Sequence, residues 1–336
     1  MTMDQNWSTN ATLTLPPLSL MRVRVVYRML AATMLPAYKG ALLRGGFGYA
    51  FQRATSACPP ACWGHSATCP HTLICPYRQV FEPTRPPGRS GALHNLHDIP
   101  RPFVIEPPLE QKREYRAGDA LEFGLVLIGS ALDLLPNFLY GFAELGQAGL
   151  GRDYVRAHLE RADVLRPFQQ LGVNVYTNGE VDVPVEPPTH NLAELPMHAA
   201  ELPADLQLTL HTPLRIKAGG AFIEHVDLGA IVQATCWRLA ALTSFYGLVP
   251  WDDDYRPIVS AARQVRVERT AIRWVDWERT STRGGERRSM KLGGLVGSAS
   301  LRNVPPDVRT ILLAASLMHT GKACVFGHGR LEVSHM

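Results

Sequence analysis

No apolar run in these 336 residues is long enough to cross a bilayer, and the first twenty lack the basic start and apolar centre of a secretory signal. A cytoplasmic protein is therefore expected, with no membrane partner. Charge is also scarce: 19% of residues are Asp, Glu, Lys or Arg, against 46% hydrophobic. That balance excludes a disordered chain and is enough for sizeable cores in one large or two medium domains. A nucleotide loop is missing as well. A glycine-rich segment lies near the end, Met318 to Val333, where an apolar helix-spaced run (Val308, Ile311, Leu312, Ala315, Met318) leads in and an alternating tail (Leu331, Val333) leads out. Phosphate loops of Walker or dinucleotide type run from strand to helix; here the helix comes first, which sets ATP and NAD aside.

What that segment does contain is Gly321, Gly327 and Gly329 with Lys322 and Arg330 among them. Glycines admit a close neighbour and the cations suit a polyanion. The excess positive charge is uneven: from Arg263 to Arg302 there are ten Lys or Arg against four acids. A surface facing nucleic acid is one reading, a solvated face the other.

Taken in order, Leu18 to Arg28 alternates as a strand and Tyr38 to Arg53 has helical apolar spacing. Cys58, Cys62, Cys69 and Cys75 follow, with His65 and His71 between them. Four cysteines at such short spacing, interrupted by prolines that forbid a helix, fit a structural zinc; an iron–sulfur cluster or free thiols are the alternatives. A connection rich in Pro, Gly, His and Arg ends at the strand Phe103 to Ile105; then come strand Leu121 to Ile128, helix Leu132 to Leu145 and strand Tyr154 to Val164. The same order recurs after a polar joint at 174–203: strand Leu206 to Ile216, helix Leu228 to Tyr246, strands Ile272 to Arg279 and Met290 to Leu301, helix Val308 to Met318, strand Val325 to Val333. Strand–helix–strand, twice per half, is the ferredoxin-like pattern. The expected fold is α+β, two tandem ferredoxin-like (RRM-like) domains over 1–203 and 204–336, with a cysteine-rich insertion at about 54–100 in the first.

The segment His319-x-Gly-Lys-x-x-x-Phe-Gly-x-Gly-Arg330 and the strand after it resemble the glycine-rich loop of the RAMP superfamily, and specifically the CRISPR endoribonucleases that process repeat RNA. Further segments fall in the family's order: Lys39-Gly40 with Leu43-Arg44-Gly45-Gly46-Phe47-Gly48, Arg101-Pro102-Phe103-Val104, Thr212-Pro213-Leu214-Arg215, and Asp276-Trp277-Glu278-Arg279 with Gly293-Gly294. The resemblance spans residues 36–333. It implies metal-independent cleavage of CRISPR repeat RNA by the ribose 2′-hydroxyl, leaving a 2′,3′-cyclic phosphate and using no nucleotide or catalytic cofactor.

That reaction needs a base, an acid and cations around the phosphorane. Relatives often carry the base on or just before the first helix. This chain offers Tyr38, Lys39 and Arg44 there and no histidine, so His319 beside the glycine loop stands as the alternative base, with His65, His71, His94 and His97 behind it. Arg283, Gly321, Lys322, Gly327, Gly329 and Arg330 are expected to hold RNA. Two rival readings remain at this point: a non-catalytic RAMP subunit that binds guide RNA among other CRISPR effector subunits, and a metal-stapled structural protein.

Overall fold

The computed structural model describes residues 13–56, 58–60, 63, 74–83, 99–281 and 288–336. Its first unit is built from β1 (Ser19–Met29), α1 (Gly40–Thr55), β2 (Phe103–Glu106), β3 (Ala120–Ile128), α2 (Leu135–Ala148) and β4 (Ala157–Leu165). These strands lie in the order β2-β3-β1-β4, all antiparallel. The second unit repeats the plan with β5 (Leu206–Leu214), α3 (Leu228–Tyr246), β6 (Arg266–Val275), β7 (Gly294–Arg302), α4 (Pro306–Met318) and β8 (Leu331–His335), its sheet running β6-β7-β5-β8. Both halves are thus βαββαβ with the first strand central beside the third: the tandem ferredoxin-like architecture.

Alternation along β1 decides where each layer sits. Met21, Val23, Val25, Tyr27 and Met29 are buried toward α1 and α2. Phe47 on α1 is fully buried among the rings of Phe51, Phe81, Phe103, Phe138 and Phe142, with centroids 4.4 to 6.2 Å away. This aromatic cluster fixes the helix despite the four glycines in it, since tertiary burial outweighs their low helix propensity.

The opposite face of β1 is divided. At one end Leu18 and Leu20, with Val104, Val126 and Ile128, join a buried apolar cluster that continues into Leu208, Leu239, Leu312 and Met318 of the second unit. At the other end stand Arg22, Arg24 and Arg28. Arg24 pairs with Glu122 at 3.3 Å and Arg28 with Glu160 at 2.6 Å. The boundary expected after residue 203 falls between elements, but the two units share a core across it.

Several elements differ from the sequence expectation. The polar joint 174–203 is partly ordered into the sheet: strand Gly172–Thr177 pairs with β4, His190–Asn191 pairs with β1, and helix Leu195–Glu201 packs on α4. Short strands with polar outer faces carry too little apolar signal to be seen. The long strands expected at 272–279 and 290–301 are each broken, giving β6 and β7 plus a separate hairpin, Glu278–Ser281 with Arg288–Lys291. Helices Pro76–Phe81 and Arg256–Gln264 were not anticipated, and the last strand starts at Leu331, not Val325. Among the described residues no helix is long and apolar enough to cross a membrane.

Replacing Phe47 with alanine is expected to cost about 3–5 kcal/mol, the range for deleting a buried ring that its neighbours cannot collapse onto. Urea denaturation against the parent protein checks this.

Candidate nucleic-acid interface between the two units

The end of α4 turns into the glycine-rich segment, and that segment docks on the start of α1 and the end of β2. Why it lies there follows from its backbone bonds. Lys322 N donates to Arg215 O at 2.9 Å, Gly329 N to Pro213 O at 3.1 Å, and Arg330 N to Thr212 Oγ1 at 2.9 Å, while Thr212 Oγ1 donates to Gly327 O at 2.6 Å. The Thr212 to Arg215 segment is therefore the cradle of the loop.

Two glycines let it touch the first unit. A Cβ on Gly327, whose φ is +82°, would run into the Pro107 ring and lie 2.8 Å from Ile105 O. One on Gly40, the first residue of α1, would collide with Phe326 O. The same carbonyl accepts from Tyr38 Oη at 2.7 Å. Gly327 and Gly329 are buried, so their closest neighbours are protein. Gly327 thus admits the other unit, whereas a Cβ on Gly329 would run into Thr320 O of its own loop. Gly321, half-buried, likewise faces Arg215 O. Lys322 is exposed and remains free to meet an anion.

At the centre is Glu106, the last residue of β2, 5% exposed. Its carboxylate accepts from Arg22 Nη2 at 3.2 Å and His319 Nε2 at 2.9 Å, and Arg330 Nε lies 3.7 Å away. Burial alone would raise its pKa. The His319 hydrogen bond and the charges of Arg22 and Arg330 outweigh that and hold it well below the usual carboxylate range. His319 Nδ1 faces His328 O at 2.9 Å. A ring facing two acceptors donates to both only with a proton on each nitrogen.

The predicted site residues thus have the following surroundings. His319 has no exposed surface and both of its ring nitrogens are engaged, one by His328 O and the other by Glu106, so that it ties α4 to β2. Lys39 is also fully covered; its Nζ donates to Lys112 O at 2.6 Å and lies 5.6 Å from the Tyr115 ring centre. Burial pulls its pKa down, Glu110 opposing and Lys112 assisting. It anchors the chain entering α1 and does not face an open surface. Tyr38 is half-buried, its ring between Trp277 at 5.0 Å and His328 at 5.5 Å. Burial, with Cys324 nearby, pushes the Tyr38 phenol well up, so it holds its proton and acts as a donor. Arg44 is half-buried over the rings of Phe81, Phe103 and Phe326, at 4.7, 5.5 and 5.8 Å. Arg330 is half-buried beside Glu106.

Arg283, Cys62, Cys69, His65, His71, His94 and His97 lie outside the described residues. Cys58 is half-buried and Cys75 buried, and among the described residues no three His, Cys, Asp or Glu side chains are grouped to hold a metal. Within the basic stretch, Arg266 and Arg302 pair with Glu268, and Arg302 with Asp205. Arg269, Arg273 and Lys291 are exposed.

Sequence reasoning missed Glu106, Trp277 and His328 as parts of one site. His328 was visible inside the glycine motif; only its packing against Tyr38 separates it from His319. A groove of about 480 Å³ opens beside this junction, lined in part by Arg22, Arg24, Glu106, Gln170 and Arg330.

Residues 16–188 match a family model described as an N-terminal domain, and residues 208–331 match the model of the CRISPR-associated endoribonuclease Cas6. No curated protein sequence matches the chain. Among solved structures, a partial Cas6-RT-Cas1–Cas2 complex superposes with TM-score 0.57 at 14% identity, covering 97% of this chain and 47% of that one. This chain spans less than half of that longer protein. A Thermus thermophilus Cas6 product complex gives TM-score 0.52 at 15% identity over 94% of this chain and 99% of that one. Another Cas6 product complex gives 0.51 at 14%, over 94% and 100%. At such identities the superpositions establish the fold.

Replacing Glu106 with alanine is expected to destabilise the protein by about 3–5 kcal/mol, because it strands Arg22 and His319 without their shared acceptor. A carboxyl with a depressed folded pKa contributes fully above its unfolded value of about 4.3 and loses that contribution as pH falls toward the folded one. Urea titrations from pH 7 down to pH 3 should therefore show the parent losing an increment below about pH 4.3 that the variant lacks.

Proposed function

From the match of residues 208–331 to the model of the CRISPR-associated endoribonuclease Cas6, we propose that this chain cuts CRISPR repeat RNA within the repeat to release guide RNAs. The ribose 2′-hydroxyl attacks the adjacent phosphate and leaves a 2′,3′-cyclic end. The observation that carries this reading is the meeting of the start of α1 with the glycine-rich segment, through Tyr38 Oη and Phe326 O at 2.7 Å. It supports a site that exists only when both units are present. Because RNA supplies its own nucleophile, the chemistry asks for a base, a proton donor and cations, not for a metal hydroxide.

Tyr38 is the proposed proton donor. Arg44, Lys322 and Arg330, with Arg283 and the exposed cations of β6, are proposed to hold the strand. Lys39 and His319 shape the junction from beneath. A second reading, a subunit that binds guide RNA without cutting it, is favoured by the absence of histidine from α1. In either case the partners are repeat RNA and, downstream of processing, other CRISPR effector subunits.

Incubation of the purified chain with repeat RNA from its own genome, with EDTA present, separates the readings. Cleavage at one position, with a cyclic phosphate on the upstream product, is expected; binding without cleavage would establish the second. RNA affinity should fall steeply with salt, and Lys322→Ala should weaken it similarly for unrelated RNA sequences, since phosphate contacts carry no sequence information. Filter binding across a salt series checks this.

A structural zinc held by Cys58, Cys62, Cys69 and Cys75 is likewise proposed from their spacing. Elemental analysis should find one zinc per chain, lost when the four are replaced by serine. Undiminished zinc would place the ligands elsewhere.

A further inference from the structure

His328 has no exposed surface, and neither of its ring nitrogens has a hydrogen-bond partner. Buried polar atoms are nearly always satisfied, and an exception at a functional junction calls for a chemical reason. The neighbours do not supply one through packing alone. Trp277, whose ring centre is 5.1 Å away, has its own indole Nε1 buried without a partner. Tyr38 meets the imidazole edge-on at 5.5 Å, with its hydroxyl committed to Phe326 O. Three unsatisfied polar atoms thus sit on two rings in contact, beside the tyrosine at the start of α1.

The charges around His328 are set as well. Arg215, after β5, and His319, at the end of α4, face it, and Tyr38 and Trp277 close the other sides. Burial first, then Arg215 and His319, push its pKa down to about 3. The covered ring is therefore neutral and keeps one nitrogen lone pair available; it gains the basicity a proton acceptor needs only when the phosphate anion enters beside it and relieves its burial. Trp277 covers it at the root of the hairpin Glu278–Ser281 with Arg288–Lys291, and the indole can turn aside without breaking a hydrogen bond.

Resting on the cleavage reading above, we propose that His328 is the general base, supplying from the second unit the histidine that α1 lacks. With the strand seated between Tyr38 and Trp277, one imidazole nitrogen takes the proton of the ribose 2′-hydroxyl. The 2′-oxygen bonds to phosphorus, the P–O5′ bond breaks, and the departing 5′-oxygen takes a proton from Tyr38 or water. The imidazolium returns its proton to that donor, so the reaction closes with no net change in protons. Trp277 Nε1 donates to a non-bridging oxygen as charge develops on it.

Single-turnover cleavage of repeat RNA by the full chain, with saturating protein, tests this. His328→Ala and the volume-preserving His328→Gln are expected to slow the chemical step by about 100-fold or more while RNA affinity stays within about threefold. Added imidazole should restore at least about tenfold of the lost rate to the alanine variant, which has room for it, and none to the glutamine variant. A variant that cuts within about threefold of the parent overturns the proposal. So does a loss of rate and binding together that imidazole leaves unrecovered, which assigns His328 to packing. If the parent itself binds repeat RNA without cutting it, the cleavage reading fails first, and is seen to fail separately.

Discussion

Everything at the junction depends on one buried carboxylate. Glu106 ends β2 of the first unit, and its partners come from β1, from the end of α4 and from the residue before β8. A buried ion pair is weak evidence of net stability, since desolvation offsets most of the attraction. Its value here is in position. With Glu106 fixed against Arg22, His319 and Arg330, the segment between His319 and Arg330 is held at both ends. Phe326 O and Gly327 are then set against α1 and Pro107.

The plan of each half was legible because its signals are of the strongest kind. Alternation in β1 and β5 and long helix-spaced apolar runs in α3 and α4 survive any tertiary context. What was missed had the opposite character. His190–Asn191 pairs with β1 over two residues, and the 278–291 hairpin interrupts what reads as continuous strand because Gly293 and Gly294 mark a break that periodicity alone does not reveal. The shared core was also invisible, since Leu18 and Leu20 look like any strand residues until the second unit is seen to cover them.

The site was legible in its location and less so in its chemistry. The glycine motif and the Thr212 to Arg215 segment both belong to the junction, but glycine at a close approach does not say what approaches. At Gly327 it is a proline ring, and at Gly40 a carbonyl from the other unit. Lys39, His319 and His328 are all covered, but Lys39 and His319 have hydrogen-bond partners while His328, nine residues beyond His319, has none and meets Tyr38. Residue type carries no information on what each of two histidines in a turning loop meets, here Glu106 for His319 and the Tyr38 ring for His328. That is decided by a φ of +60° at His319, which sends the chain back across its own ring toward His328 O.

The central claim is that catalysis takes place where α1 and the glycine-rich segment meet. A crystal structure with repeat RNA carrying a 2′-deoxy substitution at the cleaved position, which leaves the phosphate intact, tests it most directly. The account predicts the scissile phosphate beside Tyr38 and Trp277, within reach of His328. A scissile phosphate held elsewhere, with Tyr38 still bonded to Phe326 O and no nucleotide against Trp277, would contradict it.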